Sequence, residues 1–69
     1  MRRKGTYNSM TIARKKINMT QAEVADKLGI DTSTVAKWET GVAYPRASML
    51  LKLARLYECT IEDLIGEVA

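Results

Sequence analysis

Apolar residues recur along this chain at spacings of three and four, which is the period of helices that bury one face. No stretch of useful length alternates apolar and polar residues, so the pattern predicts no β-strand. Four glycines and one proline divide the periodic stretches into short segments. The sequence therefore predicts an all-α fold, a compact domain of five short helices.

The apolar stripe of each segment identifies a helix and the residues that it buries. The helices are predicted at about residues 8–17, from 21 to a stop at Gly29, at about 32–40 and 47–57, and from just after Thr60. The residues predicted to share the inner faces are Met10, Ala13, Arg14, Ile17, Val24, Ala25, Leu28, Val35, Trp38, Leu50, Leu53, Ala54, Tyr57, Ile61, Leu64 and Ile65.

Three of the predicted helices begin with residues that favour a helix start. Thr20 and Glu23 have the spacing of a capping box, in which hydroxyl and carboxylate each satisfy an unpaired amide. Thr60 and Asp63 repeat this pattern before the fifth helix. Asp31 is a good N-cap for the third helix.

The second and third predicted helices have the spacing of a helix-turn-helix. Ala25 is small where the third predicted helix must come close, and Gly29 can adopt the left-handed backbone that ends the second predicted helix. Val35, on the third predicted helix, then points back onto the second. In DNA-binding proteins the second helix of this motif, which is the third predicted helix here, lies in the major groove. The segment at about residues 21–40 is therefore the candidate DNA-binding element.

The net charge of +3 is unevenly distributed. Residues 1–16 carry six basic and no acidic side chains, whereas residues 47–69 carry two basic and four acidic ones. A basic front and an acidic tail suit a protein with one face for nucleic acid. A lysine-rich surface is also typical of simple solvation, so the charge supports DNA binding only together with the helix-turn-helix.

The composition argues against several other kinds of site. The single Cys59 cannot form an internal disulfide and is expected to be a small buried apolar residue. Without histidine or a second cysteine, the sequence predicts no metal site, no cofactor and no catalytic centre. No small-molecule ligand, membrane span or signal peptide is evident, so we expect a cytoplasmic protein that is not an enzyme.

The stretch MTQAEVADKLGIDTSTVAKWETG, followed by Pro45 and LLKLARLYECTIEDLIG, resembles the lambda-repressor and Cro-like helix-turn-helix family, the XRE-type regulators. The resemblance covers about residues 8–66. It implies a five-helix domain that binds double-stranded operator DNA as a dimer, most often in a bacterial or phage repressor. Residues 1–7 then form a basic N-terminal arm, which either reaches the DNA or is simply solvated, and residues 67–69 form a short tail.

The chain departs from the family pattern at two places outside the helix-turn-helix. Val42 and Ala43 are apolar where relatives often carry lysine or arginine, which removes a phosphate contact. Glu58 stands where a glycine commonly ends the fourth helix, so we expect a less comfortable cap there.

Three residues on the outward side of the third helix match family positions that read bases, namely Thr32, Ser33 and Lys37. Lys37 can donate hydrogen bonds to guanine, and the two hydroxyls can make single hydrogen bonds or touch a thymine methyl. A cluster of hydroxyl residues at a helix start also serves as caps, and this alternative stays open for Thr32 and Ser33.

Four further residues are candidates for phosphate contacts, which position a protein on DNA without selecting sequence. Gln21 begins the second helix, where the free amides and the helix dipole favour an anion, and the resemblance assigns it the same role. The weaker candidates are Thr34, Thr40 and Gly41.

The resemblance also implies a structural ion pair between Arg14 and Glu39, which ties the first helix to the end of the third. We interpret this pair as structural rather than catalytic. Trp38 is likewise interpreted as a core residue rather than a platform for base stacking.

The proposed readers predict a homodimer. One bidentate base contact discriminates by about 1–3 kcal/mol, whereas specific binding requires about 4–10 kcal/mol. Two copies on a near-palindromic operator, with half-sites about 34 Å apart, would close this gap. We expect the interface to use the fifth helix and the tail, through Ile61, Leu64, Ile65 or Val68, although these residues can instead close the monomer's own core.

The leading hypothesis is thus a transcriptional repressor. An antitoxin or a restriction-controller regulator of the same fold is a close alternative. A protein-interaction module that has lost DNA binding is the alternative from a different class, since Thr32, Ser33 and Ala36 form a bland surface.

Overall fold

A computed structural model describes residues 9–65 of the chain. This range contains five α-helices and no strand: α1 Ser9–Lys16, α2 Gln21–Leu28, α3 Thr32–Thr40, α4 Ala47–Tyr57 and α5 Ile61–Ile65. The predicted all-α, five-helix fold is confirmed. The predicted arm and tail, and with them Val68, lie outside the described residues.

Both predicted capping boxes are present. The hydroxyl of Thr20 accepts a 3.0 Å hydrogen bond from the amide of Glu23, whose carboxylate accepts a 2.8 Å bond from the amide of Thr20. Thr60 and Asp63 make the same exchange at 3.0 and 3.1 Å. These reciprocal bonds fix the starts of α2 and α5.

Asp31 occupies the predicted N-cap position of α3, but its side chain makes no capping hydrogen bond. The backbone carbonyl of Asp31 instead accepts a 3.0 Å hydrogen bond from the amide of Thr34. A capping side chain would normally bind this amide, but here the main-chain carbonyl satisfies it. The predicted position is right, whereas a side-chain cap is not formed.

Four of the helix ends place one residue in the left-handed region: Asn18, Gly29, Gly41 and Glu58. At each end the following amide bonds to a carbonyl five residues earlier, as in a Schellman motif. Glu58 adopts φ 57° and ψ 48° although it is not glycine, which confirms the uncomfortable cap predicted for α4. At Asn18 the left-handed residue directly follows the helix predicted over about residues 8–17.

The core lies between the inner faces of all five helices. Its buried apolar members are Met10, Ala13, Val24, Ala25, Val35, Trp38, Leu53, Tyr57 and Leu64. Ile17, Leu28, Leu50, Ala54 and Cys59 are half-buried against it. Most of the predicted core is thus confirmed.

Two core predictions need correction in α5 and beside it. Ile65 is 50% exposed, because Leu64 points into the core and the next helical residue is turned by about 100°. Cys59 is half-buried rather than buried, and burial raises the pKa of its thiol. Among the described helices, none has the length and apolar character needed to cross a membrane.

Candidate nucleic-acid interface

The two sides of α3 differ in chemistry and exposure. Val35 and Trp38 are buried on its inner side. Thr32, Ser33 and Lys37, the three predicted base readers, are all exposed. Because the inner residues anchor α3 in the core, its polar outer side stands free along one edge of the domain.

The packing of α2 on α3 sets the angle at which this outer side is presented. Val24 and Ala25 of α2 are buried, as is Val35 of α3. Between the helices, Gly29 adopts φ 70°. A Cβ atom placed on Gly29 would meet no heavy atom within 4 Å, so the turn requires glycine for its backbone conformation rather than for space. The predicted helix-turn-helix geometry is present.

The carboxylate of Glu39, near the end of α3, is held by side chains from both preceding helices. Arg14 of α1 binds it with two nitrogens, Nε at 2.7 Å from Oε2 and Nη2 at 3.0 Å from Oε1. Thr11 Oγ1 and Gln21 Nε2 donate to Oε1 at 3.0 and 2.9 Å. Arg14 Nη1 also donates to the carbonyl of Met19 at 2.8 Å. The predicted ion pair is therefore the centre of a network that joins α1, α2 and α3.

This network keeps Arg14 and Glu39 charged although both side chains are shielded from water. The side chains of Arg14 and Glu39 are only 11% and 6% exposed. Burial opposes ionisation of Glu39, but hydrogen bonds from Arg14, Gln21 and Thr11 outweigh it and lower the pKa of the carboxyl. The hydrogen bond to Glu39 raises the pKa of Arg14. Burial, together with the nearby negative charge of Glu39, raises the pKa of Tyr57 to about 12.

The predicted phosphate contacts have different environments. Gln21 is half-buried, and one of its amide hydrogens is committed to Glu39. Thr34 is half-buried, whereas Thr40 and Gly41 are exposed at the end of α3. The hydroxyl of Thr40 donates to the carbonyl of Lys37 at 3.2 Å. Gln21 thus lies at the start of α2, Thr34 in the first turn of α3, and Thr40 and Gly41 at the end of α3.

Sequence reasoning missed Thr11, which is 5% exposed and binds Glu39. Its position three residues before Arg14 placed both side chains on one face of α1, and that spacing is the signal available. It also missed Tyr44, which is 62% exposed in the loop after α3. Nothing in the apolar pattern distinguishes an exposed tyrosine in a loop from a buried one.

A cleft of about 520 Å³ lies away from α3, between α1 and the junction of α4 with α5. Ile12, Lys16, Glu58 and Asp63 are among the residues that line it. Across residues 9–65, no cluster of three or more histidine, cysteine, aspartate and glutamate side chains is placed to hold a metal ion.

Comparison with known proteins agrees with this geometry. A family model described as helix-turn-helix matches residues 12–64. An uncharacterized HTH-type transcriptional regulator of Archaeoglobus fulgidus is 37% identical over 51 residues, which cover 74% of this chain and 72% of that protein.

Two bacterial relatives are longer than this chain. The cryptic phage CTXphi transcriptional repressor RstR of Vibrio cholerae is 41% identical over 56 residues, covering 81% of this chain and 50% of that protein. The HTH-type transcriptional regulator AnsR of Bacillus subtilis is 40% identical over 57 residues, covering 83% of this chain and 49% of that protein. The chain thus spans about half the length of these two relatives.

Proposed function

Because this chain belongs to the helix-turn-helix family, as its resemblance to the lambda-repressor and Cro-like proteins predicted, we propose that it is a sequence-specific transcriptional repressor. It binds double-stranded DNA in the cytoplasm of a bacterium, and it is encoded either by the bacterium or by a phage. The proposed activity is binding, with no catalytic step. The observation that carries the proposal is the exposed polar side of α3, supported from behind by a buried apolar side.

In the proposed complex, α3 lies in the major groove. Lys37 donates to the O6 or N7 atom of guanine, and Thr32 and Ser33 contact neighbouring base edges. All three side chains are exposed, so base contact requires no rearrangement of the core.

Phosphate contacts at both ends of the helix-turn-helix position α3 on the duplex. Gln21 uses the amide hydrogen that Glu39 does not occupy, together with the free backbone amides at the start of α2. Thr34 in the first turn of α3, and Thr40 and Gly41 at its end, make further phosphate contacts. The bond from Gln21 to Glu39 orients the glutamine amide before DNA arrives, which lowers the entropic cost of the contact.

The repressor acts as a homodimer on a near-palindromic operator, through a surface formed by α1 and α5. Ser9 Oγ donates a 2.6 Å hydrogen bond to the carbonyl of Leu64, so the two helices lie side by side. Ile12, one turn after Ser9, and Ile65, next to Leu64, are each 50% exposed. Leu64 is buried in the monomer and Ile61 is half-buried, so Ile65 is the α5 side chain available to a partner.

The charges beside Ile12 suit a two-fold interface. The cleft next to Ile12 is lined by Lys16 and by the acidic Glu58 and Asp63. A two-fold axis places the same patch of each copy against the other, so a patch carrying both charge signs can pair with itself. In the proposed dimer, the two α3 helices reach half-sites about 34 Å apart.

Selection of bound duplexes from a random-sequence pool tests the proposal, because it reports binding, half-site sequence and half-site spacing together. We expect an enriched, near-palindromic site whose affinity falls steeply as salt concentration rises, since basic side chains displace counterions from DNA. If no sequence is enriched and affinity is absent at low salt, the chain is instead an interaction module that keeps the fold without DNA binding.

A further inference from the structure

The loop between α3 and α4 exposes two apolar side chains beside the DNA-binding element. Val42 is 74% exposed and Tyr44 is 62% exposed, more than any other large apolar residue in the described part of the chain. We call these two side chains the loop surface. Apolar side chains that stay in water lack the stabilisation that burial gives. A partner that covers the loop surface would supply this stabilisation.

The loop surface is held outward by the backbone. The amides of Val42 and Ala43 both donate to the carbonyl of Lys37, at 3.0 and 3.2 Å. Ala43 packs against the core, and Pro45 is buried. Val42 and Tyr44 therefore cannot turn inward unless the contacts of Ala43 and Pro45 are broken.

The charge of the stretch that contains the loop surface indicates the kind of partner. From residue 40 to residue 57 the chain contains no aspartate or glutamate. The same stretch contains Arg46, Lys52 and Arg55, all exposed. A partner that meets this part of the molecule should therefore be anionic as well as partly apolar.

The sugar–phosphate backbone of DNA has both properties, since deoxyribose presents carbon atoms and each phosphate carries a negative charge. The loop surface is also continuous with the proposed interface, because the carbonyl that anchors it belongs to Lys37, a proposed base reader. A duplex lying along α3 passes beside the residues that directly follow this helix.

We propose that Val42 and Tyr44 pack against deoxyribose carbons of the duplex bound by α3, while Arg46 pairs with an adjoining phosphate. The inference rests on the proposed function and adds to it a contact that salt does not screen. Packing on the sugar releases no counterion, so it strengthens binding equally at low and high salt, whereas the arginine contact weakens as salt rises. Sugar contacts fix register without reading bases, so the loop surface positions α3 in the groove.

The test uses the full chain and the tightest duplex recovered from the random pool. Binding is measured over a series of salt concentrations for the wild type and for Tyr44→Ala, Tyr44→Phe, Val42→Ser and Arg46→Ala. Leu51→Ala is the matched control, because Leu51 is 53% exposed but lies on α4. Thermal unfolding verifies that each variant is folded.

We expect Tyr44→Ala to weaken binding about tenfold at every salt concentration, as loss of roughly 50 Å² of apolar contact implies. Val42→Ser should weaken it less, while Tyr44→Phe and Leu51→Ala should bind like the wild type. Arg46→Ala should reduce the slope of log affinity against log salt by about one, in contrast to Tyr44→Ala, which leaves it unchanged.

Wild-type affinity in both Tyr44→Ala and Val42→Ser would overturn the inference and leave the proposed repressor intact. Weaker binding that sedimentation traces to loss of the dimer would also overturn it, since the partner would then be a second copy. Failure of the wild type itself to bind any duplex would refute the proposed function, a result distinct from both.

Discussion

The side-chain amide of Gln21, the first residue of α2, donates a 2.9 Å hydrogen bond to the carboxylate of Glu39 in the last turn of α3. This bond joins the two helices of the helix-turn-helix at Gln21, a residue proposed to contact a DNA phosphate. Arg14 holds the same carboxylate from α1. The position of Gln21 therefore depends on a buried charge pair and not only on apolar packing.

Removal of Arg14 should destabilise the domain strongly. Arg14→Met leaves the carboxylate of Glu39 buried without its cation, and such a loss costs about 3–5 kcal/mol of unfolding free energy. Urea unfolding measures the change. The double variant Arg14→Met/Glu39→Met should recover much of the stability, because no charge is left uncompensated. Equal losses in Arg14→Met and in the exposed control Lys27→Met would contradict a buried pair.

Acid should weaken the same network. The pKa of Glu39 is lower in the folded chain than in the unfolded one, so its contribution to stability is complete above the unfolded value, about 4.3. It is lost as pH falls through the lower, folded pKa, because the unfolded chain then binds the proton more readily. Urea unfolding between about pH 7 and pH 3 measures this dependence.

The Glu39→Gln variant isolates this contribution. It should be less stable than the wild type at neutral pH, and the difference should narrow as the pH falls and Glu39 is protonated. Asp63→Asn is a positive control: the pKa of Asp63 is also lowered, by its hydrogen bonds with Thr60, so the stability gap of this variant should narrow with falling pH in the same way. A stability gap between Glu39→Gln and the wild type that stays constant with pH would argue against a low pKa for Glu39.

Much of this fold could be predicted because its helix ends carry local signals. The capping pairs at Thr20 and Thr60 act over three residues, and the predicted bounds of α4 agree with the structure. The sequence does not show which residues of α5 face the core, because that depends on how α5 packs against the other helices. A helix as short as α5 does not reveal whether Leu64, Ile65 or both face inward.

The candidate site was predictable to a lesser degree. The exposure of Thr32, Ser33 and Lys37 follows from the burial of the apolar residues that alternate with them on α3. Convergence of Thr11 and Gln21 on one carboxylate requires three helices to be packed at particular angles, which no local pattern encodes. Which residues contact DNA stays a prediction.

Replacement of Glu58 by glycine should stabilise the domain. A left-handed backbone costs a residue with a Cβ atom about 1–2 kcal/mol, and the added freedom of glycine in the unfolded chain offsets about half of this gain. The expected net gain is about 0.5–1 kcal/mol, measured by thermal unfolding. Glu58→Ala, which keeps the strained backbone, should change little. At the equivalent position of α2, Gly29→Ala reverses this change and should cost a net of about 0.5–1 kcal/mol without any steric clash.

Loss of the Lys37 side chain should relax sequence preference without affecting the fold. Lys37 is exposed, and its backbone carbonyl, which anchors the following loop, is retained in Lys37→Ala. Selection with this variant should lose preference at one or two base pairs in each half-site, by about 1–3 kcal/mol per pair. Lys27→Ala removes an exposed lysine of α2 and should leave the preferred sequence unaltered. An unchanged site in Lys37→Ala would remove this residue from the set of base readers.

A charge on the exposed side of α5 should separate the proposed dimer. Ile65 is 50% exposed, so Ile65→Glu leaves the core around Leu64 intact while it places a carboxylate in an apolar contact. We expect sedimentation to show a monomer that recognises a single half-site with reduced affinity. Leu51→Glu introduces the same charge at an equally exposed apolar position of α4 and should remain dimeric. If Ile65→Glu still sediments as a dimer and binds the full operator normally, the two copies must meet through another surface.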